Sequence, residues 1–537
     1  MSGRWMLAAI VAMAAALHIY AVSRAFLPAQ DGLKFIRAAR AFQDRPAIEV
    51  IRGNDRHPLY PALAAAAEPA AALLLGRGPD TWRVSAQLVS ACFWTAMLVP
   101  VWGLARSLFN DRVGLLAAFV VAILPIPASI GHDTLADGPA LCLATSSLWL
   151  GVLALRRSDV RLCVASGVAA GLGFWTRPEA AIVAVALGVT GVIIYAAQVR
   201  RHFSERLRPL PAAAFAAAFL VLVGGYALVK GEVSEKLAMR RALGLGAVKI
   251  EPRLPRGRAL PAGLDGPGWD FAAKEESDDE RVPKRLTAVL VRVARDVAEG
   301  LAGVFAFFGL WGLARDRHAC ALCDQSDEAR ALRRAARIAV IAYAALFATA
   351  LARHAMTFGY LSTRHVLPLV ILASPWSAAG LYVCVRRSAL LLGVPRRAVI
   401  GLGCAVAALL ICVSGWIQGR PDHATRWGFA EAGRWVARHA GADDAVLDTR
   451  GWASFVADRP AYDAWRIGAA LDDPKLRYIV IGADELEADS RRSRSLRAIL
   501  AHAARPVAEF PLRSGDDDAG VLVYEYAQPA PWRGVNP

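Results

Sequence analysis

The sequence predicts an all-α polytopic membrane protein with a small C-terminal α/β domain, on three observations. Of 537 residues, 56% are hydrophobic and only 20% charged, with a mean hydropathy of +0.37. Roughly eleven apolar stretches approach the ~20 residues that a bilayer-spanning helix needs. After about residue 420 the pattern changes to short strand-like runs between polar turns. This apolar content excludes a disordered chain, and uninterrupted runs of such length exclude a β-barrel, whose strands alternate.

The first stretch, residues 5–23, follows Arg4 and has the look of a signal peptide. The spans that follow it argue for an uncleaved helix. They are expected at 84–105, 113–131, 137–155, 160–176, 179–198, 210–229, 300–314, 338–352, 365–385 and 398–417. Arginines occupy every second connection, for example Arg106 and Arg112, Arg156, Arg157 and Arg161, Arg333 and Arg334, Arg386 and Arg387. The cytoplasmic side retains such residues, which places the N-terminus in the cytoplasm and, with an odd span count, the C-terminal segment outside.

Three segments then face outward: residues 24–83, 230–299 and 421–537. The first opens with an amphipathic helix around Asp31–Arg37, expected to lie along the membrane interface. The second is rich in Pro, Gly and charge and reads as a loop with short surface helices. In the third, a helix at Trp427–His439 precedes strand-like runs at Val446–Asp448, Tyr478–Gly482, Val507–Leu512 and Gly520–Tyr526.

The net charge of +16 is dispersed among membrane loops instead of gathered on one soluble face, so no nucleic-acid partner is implied. Six of the eight cysteines fall in apolar runs, and Cys320-x-x-Cys323 lacks the second ligand pair that a zinc site needs. Neither a Walker loop nor a Gly-x-Gly-x-x-Gly occurs, which argues against ATP-driven transport and a dinucleotide cofactor. Asp443-Asp444 and Asp516-Asp517-Asp518 read as turns, and Trp427, Trp435, Trp452 and Trp465 as core or as the lining of a sugar groove.

Ionisable residues at the edge of membrane spans are costly, so each is a functional candidate. On the external face they are Asp31, His57 before Pro58-Leu59-Tyr60-Pro61, His132-Asp133 with Asp137, Arg177-Pro178-Glu179, and Arg364-His365. In order and spacing over residues 1–417 these motifs resemble the membrane glycosyltransferases of the GT-C fold. Relatives of that type include protein O-mannosyltransferases, bacterial aminoarabinose transferases and bacterial proteins of the dolichyl-phosphate-mannose-protein mannosyltransferase type. Two departures stand out. Pro58 is followed by Leu59, where relatives often carry a second proline, and Asp31 by Gly32, where many carry a second carboxylate.

The resemblance implies a GT-C-like helical domain over residues 1–417 and a polyprenyl-phosphate-linked sugar as donor. It also implies transfer at the external face of the cytoplasmic (inner) membrane, part of the bacterial cell envelope. Inverting displacement of a polyprenyl phosphate needs a base for the acceptor's proton and cations for the leaving phosphate. Asp31 is the candidate base, and His57, Arg364 and His365 are the candidate phosphate ligands. Asp133 and Asp137, four apart, share a side if their helix starts at Thr134 or earlier. There they orient sugar or acceptor, or bind a divalent metal ion with water completing its shell; helix capping is the alternative reading. His132, Arg177 and Glu179 complete the candidate set, Pro178 and Glu179 also suiting a helix start. The rival class is a secondary transporter or lipid flippase, which would carry inverted repeats and ionisable residues near the midplane.

Overall fold

The computed structural model describes residues 3–200, 209–234, 285–314, 326–488, 491–513 and 519–527. Cys320, Cys323 and Asp516–Asp518 lie outside the described residues, as do the residues from 235 to 284 of the second external segment. The chain first forms α1 (Gly3–Arg24), α2 (Gln30–Asp44), α3 (Ala47–Gly53), α4 (Leu59–Leu75), α5 (Pro79–Leu108), α6 (Asp111–Ile123), α7 (Pro125–Gly131) and α8 (Asp137–Arg157). It continues through α9 (Val160–Thr176), α10 (Ile182–Arg200), α11 (Pro209–Lys230), α12 (Leu286–Gly300), α13 (Val304–Ala314), α14 (Asp327–Phe358), α15 (Leu367–Leu391) and α16 (Arg396–Gln418).

Among the described residues, eight helices are long and apolar enough to cross a bilayer: α1, α5, α8, α10, α11, α14, α15 and α16. Counting each bent pair as one span raises the number to ten, and α9 is a shorter apolar helix. Two expected spans are broken. Residues 113–131 divide into α6 and α7, bent by 70°. Leu124 there takes extended backbone ahead of Pro125, which lacks the N–H to continue a helix. Residues 300–314 supply only α13, turned by 108° from α12. At this corner Ala302 and Gly303 both adopt positive φ, which no helix contains. The short α13 instead lies against α15: a Cβ at Gly312 would overlap the Trp376 carbonyl, and one at Gly380 the Phe308 carbonyl. Small residues let these two backbones touch, as in membrane helix pairs generally.

The C-terminal segment holds α17 (Trp427–His439), β1 (Ala445–Asp448), α18 (Trp452–Ala457), β2 (Ala461–Tyr462), β3 (Leu476–Gly482), β4 (Ala504–Pro511) and β5 (Ala519–Tyr526). The five strands form one mixed sheet of order β2-β1-β3-β5-β4. β1 runs parallel to β2 and β3, while β5 runs antiparallel to β3 and β4. The four strand-like runs of the sequence all lie in this sheet; β2, two residues long, shows no alternation and escapes pattern reading. Period-2 alternation gives two cores. Val446, Val480 and Val523 pack with Phe429, Val436 and Trp452 on one face, and Leu447, Ile479 and Ile481 with Leu496 and Leu500 on the other.

The first of these cores continues into the membrane part. Leu27 and Leu33, from the α1–α2 connection and α2, belong to it, and Trp452 Nε1 donates to the Pro28 carbonyl at 3.0 Å. On its other side α2 packs Phe35, Ile36 and Ala39 against Tyr60 and Trp82. The amphipathic helix expected at the membrane interface is thus covered by protein on two sides.

Candidate functional site

The site is organised by the N-terminus of α2. The residue before that helix, Ala29, has no capping side chain, and the cap comes from another loop. The Ala29 N–H donates to Asp133 Oδ1 at 3.1 Å and to Thr134 Oγ1 at 3.0 Å. Asp133 Oδ1 also accepts from the Thr134 N–H at 2.7 Å, and Asp133 Oδ2 lies 3.0 Å from His423 Nε2. Gly32 is required at this junction, since any Cβ would overlap Thr134 Oγ1 and lie 2.8 Å from the Thr134 carbonyl oxygen. The missing second carboxylate of the first loop therefore has a packing cause.

Held this way, Asp31 sits in the first turn of α2 with two cations. Arg364 Nη2 donates to Asp31 Oδ2 at 2.7 Å, and Arg56 Nη2 stands 3.5 Å from Oδ1. Burial alone would push the Asp31 carboxyl up, but the charges of Arg364 and Arg56 outweigh it and hold the group well below the usual carboxylate range. Arg364 projects from the 3₁₀ turn Thr363–Val366, closed by a reciprocal cap in which the Ser362 N–H donates to His365 Nδ1 at 3.1 Å.

A second acid–base pair faces the first. Asp137 opens α8 and accepts from Arg177 Nη1. Arg177 ends α9 in extended backbone ahead of Pro178, and its Nε lies 3.5 Å from Glu179 Oε2. Asp31, Arg56, His57, Asp137, Arg177 and Arg364 line one cavity of ≈ 50 Å³. Its lining thus counts three guanidiniums against two carboxylates, an electropositive balance suited to an anion.

The remaining sequence-predicted residues lie around this cavity or away from it. His57 is buried with its ring stacked on Tyr226 at 4.8 Å and edge-on to Phe174 at 5.1 Å, and its Nε2 is 3.3 Å from Ser234 Oγ. Neither His365 nor Asp133 lines the cavity; each fixes backbone. Burial would push up the Asp133 carboxyl, yet the His423 and backbone N–H partners outweigh it and the group is held low. His132 Nε2 is 2.8 Å from Asp422 Oδ2, and its Nδ1 3.4 Å from His18 Nδ1. The expected shared face of Asp133 and Asp137 does not form, because α8 starts only at Asp137 and residues 134–136 are not helical.

Among the described residues no three His, Cys, Asp or Glu stand close enough to hold a metal ion. Both cavity carboxylates are already paired with arginines, so these residues do not fit a resident divalent cation. Sequence reasoning passed over Arg56 and His423. Arg56 had a signal, since it directly precedes His57; His423 had none, because its partner Asp133 is 290 residues away.

The profile of the family described as dolichyl-phosphate-mannose-protein mannosyltransferase matches residues 70–224. Among solved structures the chain is similar to ArnT from Cupriavidus metallidurans. The apo state gives a TM-score of 0.60 at 12% identity, covering 98% of this chain and 99% of that one. The form bound to undecaprenyl phosphate gives 0.57 at 13% identity, with 100% of each chain covered. The apo oligosaccharyltransferase of Archaeoglobus fulgidus gives 0.52 at 14% identity, covering 89% of this chain and 69% of that one. No curated protein sequence matches the chain. The chain is a polytopic membrane protein with the GT-C glycosyltransferase fold.

Proposed function

We propose that the chain is an integral membrane glycosyltransferase that moves a sugar from a polyprenyl-phosphate donor to an acceptor hydroxyl or amine. The observation that carries this reading is the convergence of Asp31 with Arg56, Arg177 and Arg364 on one cavity. The donor phosphate takes up Arg364 and Arg56, drawing them from Asp31. The released carboxylate accepts the acceptor's proton as the nucleophile attacks the anomeric carbon. The bond from that carbon to the phosphate oxygen breaks with inversion, and the electron pair leaves on polyprenyl phosphate, held by the guanidiniums. Similarity to a structure that binds undecaprenyl phosphate supports a lipid-phosphate donor.

The same reading puts the cavity on the extracytoplasmic face of the bacterial inner membrane, with the N-terminus cytoplasmic and the sheet domain, residues 421–537, outside. The test is turnover in nanodiscs: release of polyprenyl phosphate from a polyprenyl-phosphate sugar, followed by mass spectrometry. Wild type releases it and Asp31→Asn does not, while Asp31→Asn elutes as folded protein. Full turnover by that variant overturns the assignment.

A further inference from the structure

A second, larger cavity of ≈ 840 Å³ opens at the other end of α2, between that helix, the C-terminal half of α4, the start of α5 and the sheet domain. Its volume falls in the range of ligand sites, about 300–1,000 Å³. One wall is polar. Arg40 is fixed by Asp458 at 2.8 Å and lies over the rings of Trp82 at 5.7 Å and Phe455 at 5.8 Å. Its Nε is buried and has no hydrogen-bond partner among the described residues. Gln43 Nε2 donates to the buried Glu68 at 2.9 Å, and Asp44 and Arg77 stand exposed beside them.

The opposite wall is apolar. Leu73 lines the cavity at 88% exposure, and Leu74 beside it is 85% exposed. Consecutive bare leucines are costly in water, so the end of α4 belongs in the acyl region of the bilayer. This cavity therefore joins a hydrogen-bonding wall to a lipid-facing one.

We infer that the α2–α4 groove receives an amphiphile with an uncharged, hydroxyl-rich headgroup, of the kind a glycolipid carries. Alternating carboxylates and guanidiniums offer acceptors and donors to ring hydroxyls. Three acids against two arginines disfavour an anionic headgroup. The apolar chain lies along Leu73 and Ala72. On the reading of the chain as a glycosyltransferase, this amphiphile is the acceptor. Nine residues of α2 separate Arg40 from Asp31, about 14 Å of helix, a span that a headgroup of two or three sugar rings bridges.

The experiment uses the full chain in nanodiscs and a diazirine-bearing alkyl maltoside as photolabel. Labelling should map to segments 37–46 and 66–82, be competed by dodecyl maltoside and not by dodecylphosphocholine, and fall to background in Asp44→Ala and in Leu73→Glu. Both variants keep wild-type release of polyprenyl phosphate into water, a readout independent of the groove. Label placed elsewhere, equal competition by dodecylphosphocholine, or unchanged labelling in both variants overturns the inference. Specific labelling in a protein that releases no polyprenyl phosphate keeps the groove and removes its role as acceptor site.

Discussion

At the residue scale, the chemistry turns on a carboxylate shared by two arginines. Because its partners depress its pKa, Asp31 contributes stability above the unfolded value of about 4, and that contribution is lost as pH falls below it. Between pH 5 and 8 the carboxylate stays ionised. The acid loss of stability in chemical-denaturation curves should therefore be shallower in Asp31→Asn than in wild type below about pH 4. Arg56, unlike His57, presents a guanidinium to the cavity. Arg56→Ala should lower kcat/KM for donor turnover by about 10²-fold, and Arg56→Lys should recover only part, since an ammonium cannot fork across two oxygens.

At the element scale, α2 is capped by residues that are not its own. Removing a cap typically costs about 1 kcal/mol. Asp133→Ala should cost about that in stability and let Asp31 drift, lowering kcat more than it raises KM for the donor. Asp133→Asn, which keeps an accepting oxygen, should retain most activity. A steady-state comparison of the two checks this. Gly32→Val meets the Thr134 carbonyl as well as its hydroxyl, so it should destabilise by about 1–3 kcal/mol, read from thermal unfolding in detergent. Reading α2 as a helix with Asp31 in its first turn needed only the pattern of residues 31–37. Reading its cap needed the loop at 133–134, which no local spacing connects to it.

At the scale of the whole molecule, the sheet domain is part of the framework of the site. Trp452 is 3% exposed, bonds to the Pro28 carbonyl and packs on Phe429, while His423 supports the cap of α2. Trp452→Ala should cost about 3–5 kcal/mol of docking and core packing. It should raise hydrogen exchange across residues 25–44 while leaving α14 and α15 protected. Unchanged exchange there would separate the domain from the site.

The sequence by itself determined the membrane class, most span positions, the strands β1, β3, β4 and β5, and, Arg56 apart, the acidic and basic residues from which the cavity is drawn. Those properties are written in runs of about 20 apolar residues and in periods of 3.6 and 2, which are local. Only the tertiary structure decided the rest. It brought Arg364 to Asp31 across 333 residues, set Arg177 on Asp137, parted Asp133 from it, and broke the chain at Ala302–Gly303. Side chains meet according to how helices pack and where a turn ends, and a linear pattern carries no distance between elements hundreds of residues apart.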